Sequence, residues 1–208
     1  MEEKAEERPV LLELFSGTGS VGKAFRARGY DIISVDSDPK ARASITRDIL
    51  DFDVAELGGR RVDTVWASPP CTHYSRARSG TTADELAGSD ELVRKTLRIV
   101  RELGGCSVFI ENPWTGRLKT RGLLDHLHVH KVDYCKYGFP YRKRTAIWTN
   151  TNWKPARDLC KHDCGHTTGR THDAHAQQGG PGPSFSQREL YRIPDDLCAE
   201  VARSVAPS

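Results

Sequence analysis

The stretch that most constrains this chain is an apolar run, Val62 to Ala67, which stops at Pro69-Pro70 and then presents Cys71. Branched and aromatic residues favour a buried strand, and neither proline can donate a sheet hydrogen bond, so the strand must end there. Open α/β sheets bind their ligands outside the carboxyl ends of the strands. Cys71 is therefore predicted to lie at a ligand site, although a free cysteine is more often a small buried hydrophobe than a nucleophile.

The N-terminal part of the chain has the pattern of a nucleotide-binding unit. Val10 to Phe15 is predicted as a strand, the glycine turn Ser16 to Gly19 follows it, and a helix is expected over Val21 to Arg28. Glycines let the backbone approach a ligand, and a helix N-terminus presents free N–H groups. Asp36 ends the next strand, about twenty residues after the turn, where an acid suits the ribose hydroxyls of an adenosine cofactor.

A second acid is expected opposite the cysteine. Cys106 to Ile110 is predicted as a buried strand that delivers Glu111 at its carboxyl end, so Glu111 and Cys71 are expected to converge on one pocket. The polar stretch Thr72 to Gly88 is interpreted as a mobile catalytic loop, with a helix beginning at Ser89.

The remaining elements complete a sheet and a tail. They are a short helix over Leu123 to Leu127, strands over His128 to Tyr134 and Thr145 to Thr149, a linker over Gly179 to Ser186, and an amphipathic helix over Arg188 to Val205 that docks back on the sheet.

A cysteine- and histidine-rich segment precedes the linker. Zinc takes four tetrahedral nitrogen or sulfur ligands, and short Cys/His spacings bring such ligands together without a large core. Cys160, Cys164 and His172 are candidate ligands, with His166 or His175 as the fourth, and His166 is preferred. The alternative is a loop of satisfied polar residues, because the spacing matches no common zinc-finger pattern.

Composition limits the classes of protein that this chain can belong to. The 208 residues are 37% hydrophobic and 28% charged, and no apolar run is long enough to span a membrane. The net charge of +3 permits nucleic-acid binding without establishing it. Met1 to Arg8 is acidic and lacks the apolar core of a signal peptide. We therefore expect a protein that is not secreted and makes no membrane contact, cytoplasmic in a prokaryotic or viral setting or else nuclear, with cysteines that are not paired.

Four separated motifs together resemble the cytosine-5 DNA methyltransferases. They are Glu13 to Ser20, Pro69-Pro70-Cys71, Glu111-Asn112-Pro113 and Tyr137 to Thr145, and the resemblance covers roughly residues 9 to 150 and the last twenty. It implies an α/β fold of the Rossmann-like class I methyltransferase type, with a mostly parallel seven-stranded sheet and flanking helices. It also implies S-adenosylmethionine as cofactor, duplex DNA with a flipped cytosine as partner, and methyl transfer to C5 of that cytosine.

The resemblance assigns roles to individual residues. Cys71 would add to C6 of cytosine, Glu111 would assist at N3, and Arg142 and Arg144 are the first candidates for contacting O2, with Lys143 close behind them. The cofactor contacts would be Phe15, Ser16, Gly17, Gly19, Asp36, Asp48, Ile49 and Pro70, and the nucleic-acid contacts Ser75, Arg76, Arg78 and Lys143. The chain departs from the family pattern at Tyr141, which replaces the usual glutamine.

Three regions are expected: a catalytic domain over residues 1–150, a small target-recognition lobe with a candidate zinc site over 151–186, and a C-terminal helix over 187–208. The family normally carries a much larger recognition domain, so the lobe reads a short site, specificity is low, or a partner supplies it. Three alternatives stay open: methylation of RNA such as tRNA, a non-catalytic nucleic-acid-binding module of the same fold, and methylation of a free nucleotide.

Overall fold

The computed structural model describes residues 7–76, 78–176 and 183–205. Its main sheet contains β1 (Val10–Leu14), β2 (Asp31–Asp36), β3 (Ile45–Thr46), β4 (Thr64–Ala67), β5 (Ser107–Pro113), β6 (His128–Asp133) and β7 (Arg144–Thr149). The spatial order is β3-β2-β1-β4-β5-β7-β6, and only β7 runs antiparallel to its neighbours. The predicted mostly parallel, seven-stranded α/β sheet is confirmed.

Helices cover both faces of this sheet. They are α1 (Ser20–Arg26), α2 (Ala83–Leu103), α3 (Gln187–Tyr191) and α4 (Asp195–Ser204). Successive strand residues point to opposite faces, so Leu11, Trp66 and Phe109 pack with α1 and α4, while the neighbouring residues of the same strands pack with α2. The central strands are consequently buried on both sides, as parallel sheets require.

The segment after Cys71 differs from the prediction. The helix begins at Ala83 rather than Ser89, because Thr82 accepts a hydrogen bond from the Glu85 N–H while the Glu85 carboxylate accepts one from the Thr82 N–H. This reciprocal cap satisfies two N–H groups and outweighs the cost of Gly88 inside the helix. The segment between Cys71 and the helix therefore spans residues 72–82 instead of 72–88.

Two further helix predictions were wrong. Residues 123–127 form turns rather than a short helix. The C-terminal segment is two helices, because Pro194 cannot continue α3 and instead precedes α4. The docking of α4 against α1 agrees with the expectation.

The small lobe consists of irregular chain and one hairpin, β8 (Thr167–Thr168) and β9 (Thr171–His172). Residues 179–182 of the predicted linker, and residues 1–6, lie outside the described residues. The three-region division stays a prediction. Among the described helices, none has the length and apolarity needed to cross a membrane.

A buried charge pair ties the segment after Cys71 to α2. The Asp90 carboxylate accepts hydrogen bonds from the Tyr74 hydroxyl (2.9 Å) and from Arg121 Nε (3.0 Å), and its side chain is 3% exposed. Burial alone would raise the pKa of Asp90, but the Arg121 and Tyr74 hydrogen bonds outweigh it and hold that pKa below its ordinary value.

We predict that Asp90→Asn lowers the free energy of unfolding by about 1–3 kcal/mol, because it weakens two hydrogen bonds to a buried charge. Urea unfolding measures this, with Glu91→Gln as the matched control, since the Glu91–Arg98 pair is exposed and worth little. Because the folded pKa lies below the unfolded one, the difference between wild type and Asp90→Asn should be full above about pH 4 and should disappear as the pH falls through the folded pKa. Equal losses for the two variants would contradict the assignment.

Candidate active site

One cleft of about 580 Å³ lies at the carboxyl ends of β1, β2, β4 and β5. Parallel strands bring their carboxyl ends to one edge, so segments distant in sequence meet here. The side chains and backbone that line the cleft include Glu13, Phe15, Ser16, Gly17, Asp36, Pro70, Cys71, Glu111, Lys143, Arg188 and Tyr191.

The Pro-Pro-Cys turn is fixed from the neighbouring strand. Asn112 Nδ2 donates a buried hydrogen bond to the Pro69 carbonyl (2.8 Å), and Trp66 Nε1 donates to Ser68 Oγ (2.9 Å). Since the two prolines have no N–H of their own, the Asn112 side chain takes over the role of a sheet hydrogen bond. Cys71 is held half-buried at the cleft wall.

The electrostatics of Cys71 oppose its ionisation. Burial raises the pKa of the Cys71 thiol most, the charge of Glu111 raises it further, and the Lys143 ammonium lowers it. Lys143 is thus a cation in the cleft that favours the thiolate.

Glu111 is buried and has a fixed partner. The Tyr134 hydroxyl donates to Glu111 Oε1 (3.1 Å), and Tyr134 itself is fully buried against the edge of Phe139. Tyr134 was not predicted as a site residue, since nothing in its local sequence distinguishes it from the core aromatic residues.

The three basic residues Arg142, Lys143 and Arg144 lie in different environments. Lys143 lines the cleft, and its Nζ donates to the Leu190 carbonyl (3.0 Å). Arg144 instead pairs through two nitrogens with Asp133 (2.9 and 2.7 Å), and Arg142 is exposed. Neither arginine is among the described residues that line the cleft, so the geometry favours Lys143 over the two first candidates.

The glycine turn has the features of a cofactor cradle. Phe15 and Gly17 adopt left-handed backbone conformations (φ 56° and 48°), and the Gly17 N–H donates to Asp36 Oδ2 (2.8 Å). A left-handed phenylalanine is strained, and such strain concentrates at functional sites. Ser16 Oγ is buried at the cleft without a hydrogen-bond partner among the described residues. A polar ligand that bonds Ser16 fits this turn.

Two predicted cofactor contacts lie elsewhere. Asp48 closes a local turn by accepting the Leu50 N–H (2.9 Å), and Ile49 is buried in the core. Neither belongs to the described lining of the cleft, while Pro70 does. Gly19 precedes α1 in a left-handed conformation (φ 67°), where it shapes the turn.

The prediction missed two contributions to the cleft. Glu13 lies on β1, where burial raises its pKa to about 7 although the Gly22 N–H donates to its carboxylate. An acid inside an otherwise apolar strand was the available signal. Arg188 and Tyr191 bring α3 over the cleft, and no sequence pattern indicated this.

The predicted nucleic-acid contacts follow Cys71. Arg78 pairs with Glu85 (2.7 Å), and Ser75 is half-buried within the turn. Arg76 is exposed and belongs to a basic patch, which we define as Lys119 and Lys131 over the ring of Trp114 together with Arg76, whose charge acts on Lys119. Burial, then repulsion from the other two cations, lowers the pKa of Lys119. The described residues provide no carboxylate within ion-pair distance of this patch.

Three of the four predicted metal ligands come together. Cys160, Cys164 and His172 lie in one group with Cys135, and all four candidate ligand atoms are within 4.8 Å of one another. His166 is not part of this group. Cys135 was missed because it follows β6, 25 positions before Cys160 and away from the other cysteine and histidine residues.

We predict that Lys143→Gln raises the pKa of Cys71, because it removes the cation that favours the thiolate. Since Lys143 is half-exposed, we expect a modest effect, with alkylation of Cys71 roughly threefold slower at pH 8. Peptide mapping of Cys71 after iodoacetamide treatment across pH measures the shift. Arg142→Gln is the control, and an equal effect in both variants would contradict the assignment.

Comparisons with known proteins agree with this geometry. The model of the C-5 cytosine-specific DNA methylase family matches residues 10–121. A protein of frog virus 3 (isolate Goorha) named "Probable DNA (cytosine-5)-methyltransferase" is 34% identical over 213 residues, covering 92% of this chain and 97% of its own length. The type II methyltransferase M1.HgaI of Avibacterium volantium is 26% identical over 172 residues, which is 65% of this chain and 48% of that protein.

A solved structure shares the fold. The methyltransferase EhMeth of Entamoeba histolytica superposes with a TM-score of 0.55 at 16% identity, covering 74% of this chain and 57% of that one. This chain therefore spans nearly all of the viral relative but only about half of the bacterial one and of the solved structure. The family in general uses S-adenosylmethionine as methyl donor. The match over residues 10–121 and the viral relative together establish that this chain belongs to the C-5 cytosine-specific DNA methylase family.

Proposed function

We propose that this protein transfers a methyl group from S-adenosylmethionine to C5 of cytosine in DNA through a covalent adduct with Cys71. The observation that carries the proposal is the cleft in which Cys71, Glu111 and Lys143 lie beside the strained glycine turn. A nucleophile, an acid and a cation at one edge of a parallel sheet suit addition to an electron-poor ring.

The cofactor is proposed to bind at the turn between β1 and α1. Ser16 Oγ and the carboxylate of Asp36 offer polar contacts, and the left-handed Phe15 borders the same space. When bound, S-adenosylmethionine supplies an electrophilic methyl group that an activated C5 can take.

The chain's own residues would activate the ring. The Cys71 thiolate forms a bond to C6, and the electron pair of the C5–C6 double bond moves toward N3, where Glu111 provides a proton or hydrogen bond. Lys143 favours the thiolate form of Cys71. After C5 has taken the methyl group, a base such as water removes the C5 proton, the C5–C6 double bond re-forms, the bond from C6 to sulfur breaks to release the Cys71 thiolate, and the proton at N3 returns to Glu111.

DNA is proposed as the substrate because a basic patch follows the Cys71 turn and because a flipped cytosine could enter the cleft. A base inside a duplex cannot reach a cleft of this kind, so the cytosine has to be flipped or single-stranded. The basic patch of Arg76, Lys119 and Lys131 follows the Cys71 turn and the Glu111 strand, where it can hold backbone phosphates. Such contacts fix position and carry no sequence information.

Sequence specificity is proposed to come from the small lobe or from a partner protein. Residues 151–176 contain one short hairpin and little apolar core, which is a small surface for reading bases. We expect a short recognition sequence, or a broader one in the absence of the partner.

The decisive test incubates the purified chain with labelled S-adenosylmethionine and equal amounts of duplex DNA, single-stranded DNA, tRNA and dCMP. We expect 5-methylcytosine in DNA by mass spectrometry, and a loss of at least about a thousandfold in Cys71→Ser. A mechanism-based trap, 5-fluorocytosine in duplex DNA, should give a covalent complex with wild type alone. Methylation of tRNA or dCMP but not DNA would overturn the substrate, and an active Cys71→Ser variant would overturn the nucleophile.

A second prediction concerns the residue that positions Glu111. Tyr134→Phe removes the hydroxyl that bonds Glu111 Oε1 without changing the packing of the ring. We expect kcat to fall roughly three- to tenfold, which corresponds to one hydrogen bond, while KM for DNA stays unchanged.

Tyr137→Phe is the matched control for that experiment. Tyr137 lies in the same turn, but its hydroxyl bonds Glu200 on α4 (3.4 Å), away from the cleft. A similar loss of kcat in both variants would indicate a general effect on the turn and contradict the positioning role of Tyr134.

A further inference from the structure

We infer that Cys135, Cys160, Cys164 and His172 form a tetrahedral zinc site that fastens the small lobe to the end of β6. The four ligand atoms lie within 4.8 Å of one another. His172 Nε2 is 3.5 Å from both Cys160 Sγ and Cys164 Sγ. A tetrahedral zinc with Zn–S of about 2.3 Å and Zn–N of about 2.05 Å separates sulfur from nitrogen by about 3.6 Å, so the two distances from His172 match a zinc site.

The backbone around the cysteines supports thiolate ligands. His162 adopts a left-handed conformation (φ 68°), which turns its N–H toward Cys160 Sγ at 3.3 Å. An N–H that points at a sulfur donates a hydrogen bond that stabilises a metal-bound thiolate. Gly165, also left-handed (φ 77°), turns the chain after Cys164 toward the hairpin that carries His172.

The described part of the lobe, residues 151–176, has almost no apolar core of its own. Among residues 151–176, the buried ones are Trp153, Cys160 and Ala174, and Trp153 belongs to the core of the main sheet. The hairpin has two residues per strand, which is too short to be stable alone. Small segments without a core commonly depend on a metal or on disulfides for their folding energy.

Charge near the cluster is also favourable. Three thiolates and a neutral imidazole give a zinc site a net charge of −1. Lys136 and Arg144 lie close enough to Cys160 for their charges to act on it. The Asp133 carboxylate, which holds Arg144, also accepts the Cys160 N–H (2.9 Å).

The ligand Cys135 also connects the proposed zinc site to the active site. Cys135 directly follows Tyr134, which bonds Glu111, and both belong to the turn Tyr134–Tyr137. A metal that holds Cys135 therefore holds the backbone of the residue that positions Glu111. His166 is not one of the four ligands. It lies at the base of the hairpin, where its carbonyl accepts the Asp173 N–H (3.1 Å).

The test measures metal in the full-length chain purified without chelator. We expect one zinc per chain by elemental mass spectrometry, and a cobalt-substituted protein with the intense absorption bands of a tetrahedral thiolate site. Cys135→Ser and His172→Ala should each lower zinc affinity tenfold or more, while the controls Cys106→Ser and His166→Ala should bind zinc like wild type.

Limited proteolysis provides a readout that does not depend on any variant. Removing the metal from wild type should increase cleavage within residues 151–176, and adding zinc back should suppress it. Three results would overturn the inference: no zinc in wild type after zinc-replete purification, zinc that Cys135→Ser retains at full affinity, or an intact mass that shows a disulfide among these cysteines in freshly purified protein. None of these readouts depends on methyl transfer, so they can fail or succeed independently of the proposed function.

Discussion

The arrangement of the active site depends on the hydrogen bond from the Asn112 side chain to the Pro69 carbonyl. A strand that ends in two prolines loses its sheet hydrogen bonds at the point where position matters most. Asn112 replaces them from the adjacent strand, and the residue before it is Glu111. One short segment of β5 therefore fixes the cysteine turn and presents the acid, so the relative position of Cys71 and Glu111 follows from a single strand pair.

The buried carboxylate of Asp133 is a second fixed point of the structure. Asp133 is fully buried, and a buried carboxylate is tolerated only when it is well paired. It bonds Arg144 at the start of β7 and the backbone of Cys160 in the lobe. Neighbouring residues of an extended chain point to opposite sides, so committing Arg144 to Asp133 directs Lys143 into the cleft. The same carboxylate thus decides which cation faces Cys71 and where the lobe is attached.

The sequence was sufficient for features set by local periodicity. The strands that carry Asp36 and Glu111, and the strand that precedes Cys71, could be predicted, because apolar runs bounded by proline or glycine mark strand ends and parallel ends converge. Features set by contacts between residues that are far apart in sequence could not be predicted. Cys135 lies at the end of a strand, 25 residues before its partners, and Tyr134 resembles any buried aromatic residue. The Thr82–Glu85 cap could be predicted from the sequence, but Gly88 led to a predicted helix start after the glycine.

The raised pKa of Cys71 has a physical meaning within the proposed mechanism. Burial and the charge of Glu111 both favour the protonated thiol, while the Lys143 ammonium and a backbone hydrogen bond favour the thiolate. In the proposed mechanism Glu111 holds the proton that it offers to N3 and then carries no negative charge, so one of the two influences against ionisation is absent at that stage. Thiolates, rather than thiols, are readily oxidised. A nucleophile that ionises mainly in the presence of its substrate is thus protected in the resting protein, and the Glu111 that assists the ring also regulates the cysteine that attacks it.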